Sequence, residues 1–171
     1  ERIFRPLRMT DTMFWAATPD QRTRLTTVYG PAPGGGLTKV DVETLPFTER
    51  PTLIEGAVGL LSTVPDYLRF GQMLLDGGII DGRRVLSPKT VAYMTSDHLG
   101  PNIKNQVAGT EPQRDGYGFG LGVAVRLGDG VAAVPGSPGD FTWNGANGTA
   151  FWADPQERLV VVYGTAAPGE I

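Results

Sequence analysis

The chain has 171 residues, 40% of them hydrophobic and 19% charged, with a formal net charge of -3. That balance suits one globular domain with its own core and gives no basis for nucleic acid or an anionic membrane as partner. Cysteine is absent, which excludes disulfides, thiolate metal sites and cysteine nucleophiles, while Gly 24 and Pro 14 favour a turn-rich fold over a helical bundle.

In chain order, Pro6 limits any helix built on Ile3, Phe4 and Leu7, and Thr10-Asp11 is turn-like. Thr18-Pro19-Asp20 opens a short helical turn through Leu25, and Leu25 to Tyr29 reads as a short strand. Gly30 to Gly36 is a loop. Leu37 to Pro51 reads as a long irregular loop, of the kind that walls or covers a site. The clearest helix follows. Thr63 is its N-cap, Asp66 three residues on suggests a capping box, Pro65 suits the first turn, and Tyr67, Phe70 and Leu74 recur at helical spacing. Gly77-Gly78 ends it. Ile79 to Leu86 resembles a small hairpin around Asp81-Gly82, and Ser87-Pro88 caps a second helix with Val91 and Met94 on its apolar face.

Residues 100–116 form a second polar loop. Tyr117 to Val125 (YGFGLGVAV) reads as one glycine-rich strand, Gly128 to Gly130 as a turn, and Val131 to Val134 as its partner strand. Three antiparallel strands end the chain: Phe141 to Gly145, Thr149 to Ala153 and Leu159 to Tyr163. Asn147-Gly148 is the turn of the first pair and Asp154-Pro155 stops the second. The last is apolar throughout, as a strand covered on both faces is. Two helices followed by about five strands give an α+β (mixed α/β) class with an antiparallel sheet. No apolar run approaches the roughly 20 residues that cross a bilayer.

Most obvious chemistry fails. The serines are Ser62, Ser87, Ser96 and Ser137, and none has lysine three residues later. Ser137 lies in Pro-Gly-Ser-Pro-Gly, a turn. His98, the only histidine, suits a solvated helix end, where its cationic form meets the negative pole. Metal-ligand spacing is absent. Gly34-Gly35-Gly36 lacks the lysine and helix of a phosphate loop, and Arg83-Arg84 reads as a solvated hairpin. What stands out is Trp143-Asn144-Gly145-Ala146, a large aromatic beside an amide and two small residues. It is either packing at a sheet edge or a ligand-facing edge whose backbone N–H groups can stabilise an oxyanion.

Several stretches together resemble the serine β-lactamase-like superfamily, nearest to the family VIII carboxylesterases and class C β-lactamases. They are IFRPLRMTDTMF, GLLSTVPDYLRFGQMLLDGG, RRVLSPKTVAYM, YGFGLGVAV and GDFTWNGANGTAFWADPQERLVVVY. Arg8 stands where that family usually has glycine. The resemblance implies a β-lactamase/D-alanyl-peptidase-like sheet flanked by helices, with residues 1–171 as the C-terminal part of one such domain. It also implies a serine hydrolase whose Ser-x-x-Lys nucleophile and tyrosine motif lie upstream. The family's third motif falls on Trp143-Asn144-Gly145 as substrate-binding residues, and its oxyanion donor on the backbone N–H of Ala146. With no lysine at Trp143, esters are favoured over β-lactams. The implied partners are a small ester or β-lactam-like molecule and the N-terminal remainder of the same protein. No cofactor or metal is implied. The expected function is a carboxylesterase working through an acyl-enzyme. The alternatives are a β-lactamase, D-alanyl peptidase or acyl transferase of the same superfamily, or an inactive binding homologue.

Overall fold

The computed structural model describes residues 1–40, 47–54, 56, 59–103 and 114–167. In chain order they form α1 (Pro19–Thr23), β1 (Tyr29–Pro31), β2 (Leu37–Lys39), α2 (Val64–Leu75), β3 (Ile79–Ile80), β4 (Arg83–Arg84), α3 (Pro88–Met94), β5 (Tyr117–Phe119), β6 (Ala124–Arg126), β7 (Phe141–Asn144), β8 (Ala150–Asp154) and β9 (Leu159–Tyr163). Strands β5 to β9 pair in sequence order as one antiparallel sheet, and β1–β2 and β3–β4 are separate hairpins. The α+β class with an antiparallel sheet is thus observed.

The sheet and α2 share the core. Leu7, Met73, Phe141, Phe151 and Ala153 are almost wholly buried there. The Tyr67 ring meets Phe151 edge-on at 5.6 Å, and Phe151 lies 5.9 Å from Phe141. α2 approaches β8 and β9 closely because residue 71 is glycine. A Cβ there would lie 2.6 Å from Val160 Cγ2 and 2.8 Å from Phe151 Cε2.

The cap of α2 differs from its sequence reading in one half. Thr63 Oγ1 accepts from the Asp66 N–H at 3.3 Å, as a capping residue does. The Asp66 carboxylate does not return to Thr63. Its Oδ2 accepts from the Asp11 N–H and from the Thr12 hydroxyl, each at 2.8 Å, and so ties the N-terminal segment to the helix start. A complete reciprocal capping box occurs at α1, between Thr18 and Gln21.

Three further expectations are corrected. Leu25 to Tyr29 is not the strand. The strand begins at Tyr29 and pairs with Leu37–Lys39, because Gly35 and Gly36, both at positive φ, fold the chain back. YGFGLGVAV is not one strand but the hairpin β5–β6. Gly122 at φ 85° makes the turn, the Gly120 N–H donates to the Val123 carbonyl, and β6 finds its partner in β5 rather than in Val131 to Val134. The last strand is not covered on both faces. Val160 and Val162 pack inward, whereas Leu159, Val161 and Tyr163 are 42%, 41% and 60% exposed. β9 forms one edge of the sheet among the described residues. The two long loops expected over 37–51 and 100–116 fall partly at 41–46 and 104–113, outside the described residues.

Candidate active-site edge

β7 is the middle strand of the sheet, yet its far end is open on one side. Its pairing with β6 consists of Val125↔Phe141 and Ala124↔Thr142 and stops there. The reason is local: β6 begins at Ala124 because the chain has just turned through Gly122, so no β6 residue extends alongside Trp143 or Asn144. On the other side, β8 continues to pair with β7 as far as Asn144↔Ala150.

Backbone direction follows from the alternation of an antiparallel strand, in which successive residues aim N–H and C=O to opposite sides. The Asp140 carbonyl accepts from Arg126 on the β6 side, and the Gly145 N–H donates to the Thr149 carbonyl on the β8 side, at 2.8 Å. Asn144 therefore directs its amide and carbonyl to the open side. Beyond it, the Ala146 N–H makes no hydrogen bond to a described residue, and Ala146 is exposed. The turn carries Gly148 at φ 81°, as Asn147-Gly148 suggests, and the Gly148 N–H donates to the Gly145 carbonyl. Gly145 has an internal reason to be small: a Cβ there would collide with the Thr149 hydroxyl.

The side chains of the motif are held from outside it. Trp143 is 37% exposed, with Phe119 edge-on at 5.2 Å and the Arg114 guanidinium 4.6 Å from its ring centre. Arg114 also donates from a terminal nitrogen to Asn144 Oδ1 at 2.6 Å, although the residue is only 2% exposed. Sequence reasoning missed Arg114. It lies 30 residues from Asn144, in a stretch that reads only as polar and turn-rich, and nothing in its local pattern marks it. Arg114, Asn144, Thr142 and Trp152 line a cavity of about 250 Å³, with Tyr117 at its side.

Behind the cavity is a buried charged network. Arg126 Nε donates to Asp140 Oδ2 at 2.7 Å, and another guanidinium nitrogen reaches the Tyr117 hydroxyl and the carbonyls of Val134 and Pro135. Burial, followed by the nearby Asp140 charge, pushes the Tyr117 hydroxyl up to about 12, so it stays protonated.

The remaining sequence candidates lie elsewhere. His98 Nε2 contacts the Tyr93 carbonyl at 2.7 Å beyond the end of α3, and its ring packs edge-on against Tyr93. Ser137 is in a turn, with its N–H donating to Asp154 Oδ2. Gly34 to Gly36 belong to the β1–β2 hairpin, and Arg84 donates to the Gly77 and Leu86 carbonyls. Among the described residues no three His, Asp or Glu side chains converge as a metal site, and no helix is long and apolar enough to cross a membrane.

Comparison with known proteins places this architecture. A family model described as Beta-lactamase matches residues 1–170. The chain belongs to the Beta-lactamase family. Among curated proteins, the chain is 39% identical over 166 residues to Protein Rv1367c of Mycobacterium tuberculosis, covering 95% of the chain and 41% of that protein. Among solved structures it is similar to simvastatin synthase (LovD) from Aspergillus terreus, with a TM-score of 0.80 at 22% identity, over 98% of the chain and 44% of that structure. It is also similar to EstCE1, described as a hydrolase with promiscuous acyltransferase activity, with a TM-score of 0.77 at 24% identity over 98% and 44%. A penicillin-binding protein homologue from Caulobacter crescentus matches with a TM-score of 0.64 at 18% identity, over 100% and 46%. The chain thus spans less than half the length of the relatives it matches, and likenesses at these identities speak for the fold.

Proposed function

We propose that this chain is the C-terminal part of a serine carboxylesterase of the family VIII type. A serine outside the chain attacks the ester carbonyl, the alcohol departs, and water hydrolyses the acyl-enzyme to the free acid. Trp143, Asn144 and Gly145 form one wall of the cleft, and the Ala146 N–H donates to the oxyanion that develops on the carbonyl oxygen. The observation that carries this reading is the open end of β7. There the Asn144 backbone is unladdered on one side and the Ala146 N–H has no partner among the described residues. EstCE1, described as a hydrolase with promiscuous acyltransferase activity, agrees with acyl chemistry on this fold.

One step of the sequence argument weakens. The missing lysine at Trp143 spoke against substrates bearing a carboxylate, yet the Arg114 guanidinium lies 4.6 Å from the Trp143 ring. That observation favours a second reading, a β-lactamase or D-alanyl peptidase acting on a carboxylate-bearing substrate. The test uses the full-length protein and these 171 residues alone, each with an activated short-chain ester, a chromogenic β-lactam and a serine-directed phosphonate. The esterase reading expects the full-length protein to hydrolyse the ester and take the label, and the chain alone to do neither. Turnover or labelling of the chain alone overturns it, and β-lactam hydrolysis without ester hydrolysis favours the second reading.

A further inference from the structure

The glycine-rich hairpin β5–β6 meets the Asp97-His98 pair along the side of β5 that faces away from β6. The Phe119 N–H donates to Asp97 Oδ1 at 3.1 Å, across 22 residues of chain. The Phe119 carbonyl accepts from the His98 N–H at 2.9 Å, and the Leu121 N–H donates to the Met94 carbonyl at 2.9 Å. Both backbone groups of Phe119 are thus directed at this segment rather than at β6. The glycines of YGFGLG make the approach possible. A Cβ at Gly118 would collide with the Asp97 carboxylate, and one at Gly120 with the Met94 carbonyl. Asp97 also accepts from the Leu99 N–H, at 3.0 Å to Oδ1, and from the Gly100 N–H, at 3.3 Å to Oδ2. Those two bonds make an ordinary turn after α3. The bond to Phe119 reaches further, because the Phe119 ring meets Trp143 edge-on at 5.2 Å.

We propose that Asp97 is a positioning residue of the candidate site: it fixes the Phe119 backbone, Phe119 fixes the orientation of the Trp143 ring, and that ring sets how the cleft wall receives an apolar acyl group. A carboxylate that accepts from the N–H groups of Leu99, Gly100 and Phe119 makes charge-assisted bonds, stronger than those of a neutral acceptor. Its hold on Phe119 acts at the backbone, where a displacement carries the ring with it. An edge-on aromatic pair depends on ring separation and angle, so a shift of Phe119 is felt at Trp143. Trp143 is 37% exposed and keeps open surface for a ligand. The acyl-group part of this role rests on the esterase reading, and the positioning part on the Asp97–Phe119–Trp143 geometry. An amide at position 97 keeps an acceptor oxygen for Phe119, whereas a methyl keeps none, so the contact can be separated from the charge.

The experiment labels the full-length protein with fluorotryptophan and reads the fluorine resonances of Trp143 and Trp152, each assigned by its loss in Trp143→Phe or Trp152→Phe. Trp143 pairs with Phe151, so Trp152 lies on the opposite face of the sheet and serves as the internal control. Asp97→Ala and Phe119→Leu are each expected to shift the Trp143 resonance and to leave that of Trp152 in place. Asp97→Asn is expected to return it towards the wild-type position. Each variant is checked for folding by circular dichroism and thermal melting. If Asp97→Ala does not fold, Asp97→Ser, whose hydroxyl stops short of the Phe119 N–H, carries the same expectation. The same proteins are assayed with p-nitrophenyl acetate and p-nitrophenyl phenylacetate. In Asp97→Ala the kcat/KM ratio of phenylacetate to acetate is expected to fall about three- to tenfold, the size of one aromatic contact, chiefly through KM. Asp97→Asn is expected to restore most of it. An unmoved Trp143 resonance, an equal shift of Trp152, or no return in Asp97→Asn overturns the positioning claim. An unchanged ester ratio overturns the acyl-group claim. If wild type hydrolyses neither ester, the esterase reading and the acyl-group claim both fall, and the Trp143 resonance then decides the positioning claim on its own.

Discussion

Arg8 shows how a single backbone angle can account for a departure from a family pattern. Its φ is 53°, in the left-handed region where a Cβ costs about 1–2 kcal/mol, and glycine is the usual residue there in the family it resembles. Its ion pair, 3.8 Å to Asp81 between exposed groups, is worth little in return. Glycine would relieve the strain but add about 0.5–1 kcal/mol of chain entropy to lose. Arg8→Gly is therefore expected to stabilise the fold by a net ~0.5–1 kcal/mol, read as a higher urea midpoint at unchanged slope. The opposite sign is expected at Arg126. It is 3% exposed and neutralises Asp140, which is wholly buried and whose Oδ1 has no hydrogen-bond partner among the described residues. Arg126→Met leaves that carboxylate without its guanidinium and is expected to cost about 3–5 kcal/mol in chemical denaturation. At the proposed oxyanion donor, Ala146→Pro removes the N–H in an exposed turn. The full-length enzyme is expected to lose about 10²–10³ in kcat with KM little changed.

At the scale of elements, the packing of α2 on the sheet turns on Gly71. Alanine in a helix interior gains up to about 1 kcal/mol over glycine by propensity. Against that stand contacts of 2.6 and 2.8 Å from the new methyl to Val160 and Phe151. Two side chains of a packed core must move, at a cost of about 1–3 kcal/mol. The clash outweighs the propensity, so Gly71→Ala is expected to destabilise by ~1–2 kcal/mol, and by less in a Val160→Ala background, where one of the two clashes is gone. A double-mutant cycle in urea checks both statements, and additivity of the two losses would contradict the contact. The β5–β6 hairpin matters in another way. Its tight turn makes β6 begin only at Ala124, and that late start is what leaves the last residues of β7 open. The open edge thus owes its existence to the length of a neighbouring strand.

For the whole molecule, acid sensitivity can be anticipated from several carboxylates held below their ordinary value of 3.8. Asp97 is lowered first by the Leu99 N–H, Asp81 first by its hydrogen bond from Arg69, and Asp11 first by that from Arg24. For Asp154, burial pushes the carboxyl up, but hydrogen bonds from Glu157, Ser137 and Gln156 outweigh it and the net shift is down. A group depressed in the folded state stabilises above its unfolded value and loses that stabilisation as pH falls through the folded value. Stability is therefore expected to be flat near neutrality and to fall below about pH 4, with Asp97→Asn flattening the acid limb of the urea midpoint. Tyr117 acts at the other end. Its hydroxyl is raised from 10 to about 12, so stability is lost as pH climbs through that interval while the unfolded chain ionises first. Tyr117→Phe is expected to remove that part of the alkaline limb. The outer face of β9, with Leu159, Val161 and Tyr163 exposed, is uncovered among the described residues of a chain that spans 41% of its Mycobacterium relative.

Local signals determined much of this protein. Caps at Thr63 and Ser87, the glycines after α2, the Asp81-Gly82 and Asn147-Gly148 turns and the approximate extents of the last three strands each depend on neighbours a few residues away, and each appears in the structure. So did the whole-chain resemblance, which the family match bears out at the level of the superfamily. Tertiary structure decided what depends on distant partners. That Asp66 serves Asp11 and Thr12 rather than its own cap, that YGFGLGVAV doubles back, and that β9 is an edge all follow from which segments meet. Above all, no sequence pattern brings Arg114 to Trp143 and Asn144. The contact of a guanidinium with an aromatic and an amide 30 residues away depends on how distant segments meet, and local pattern carries no trace of it.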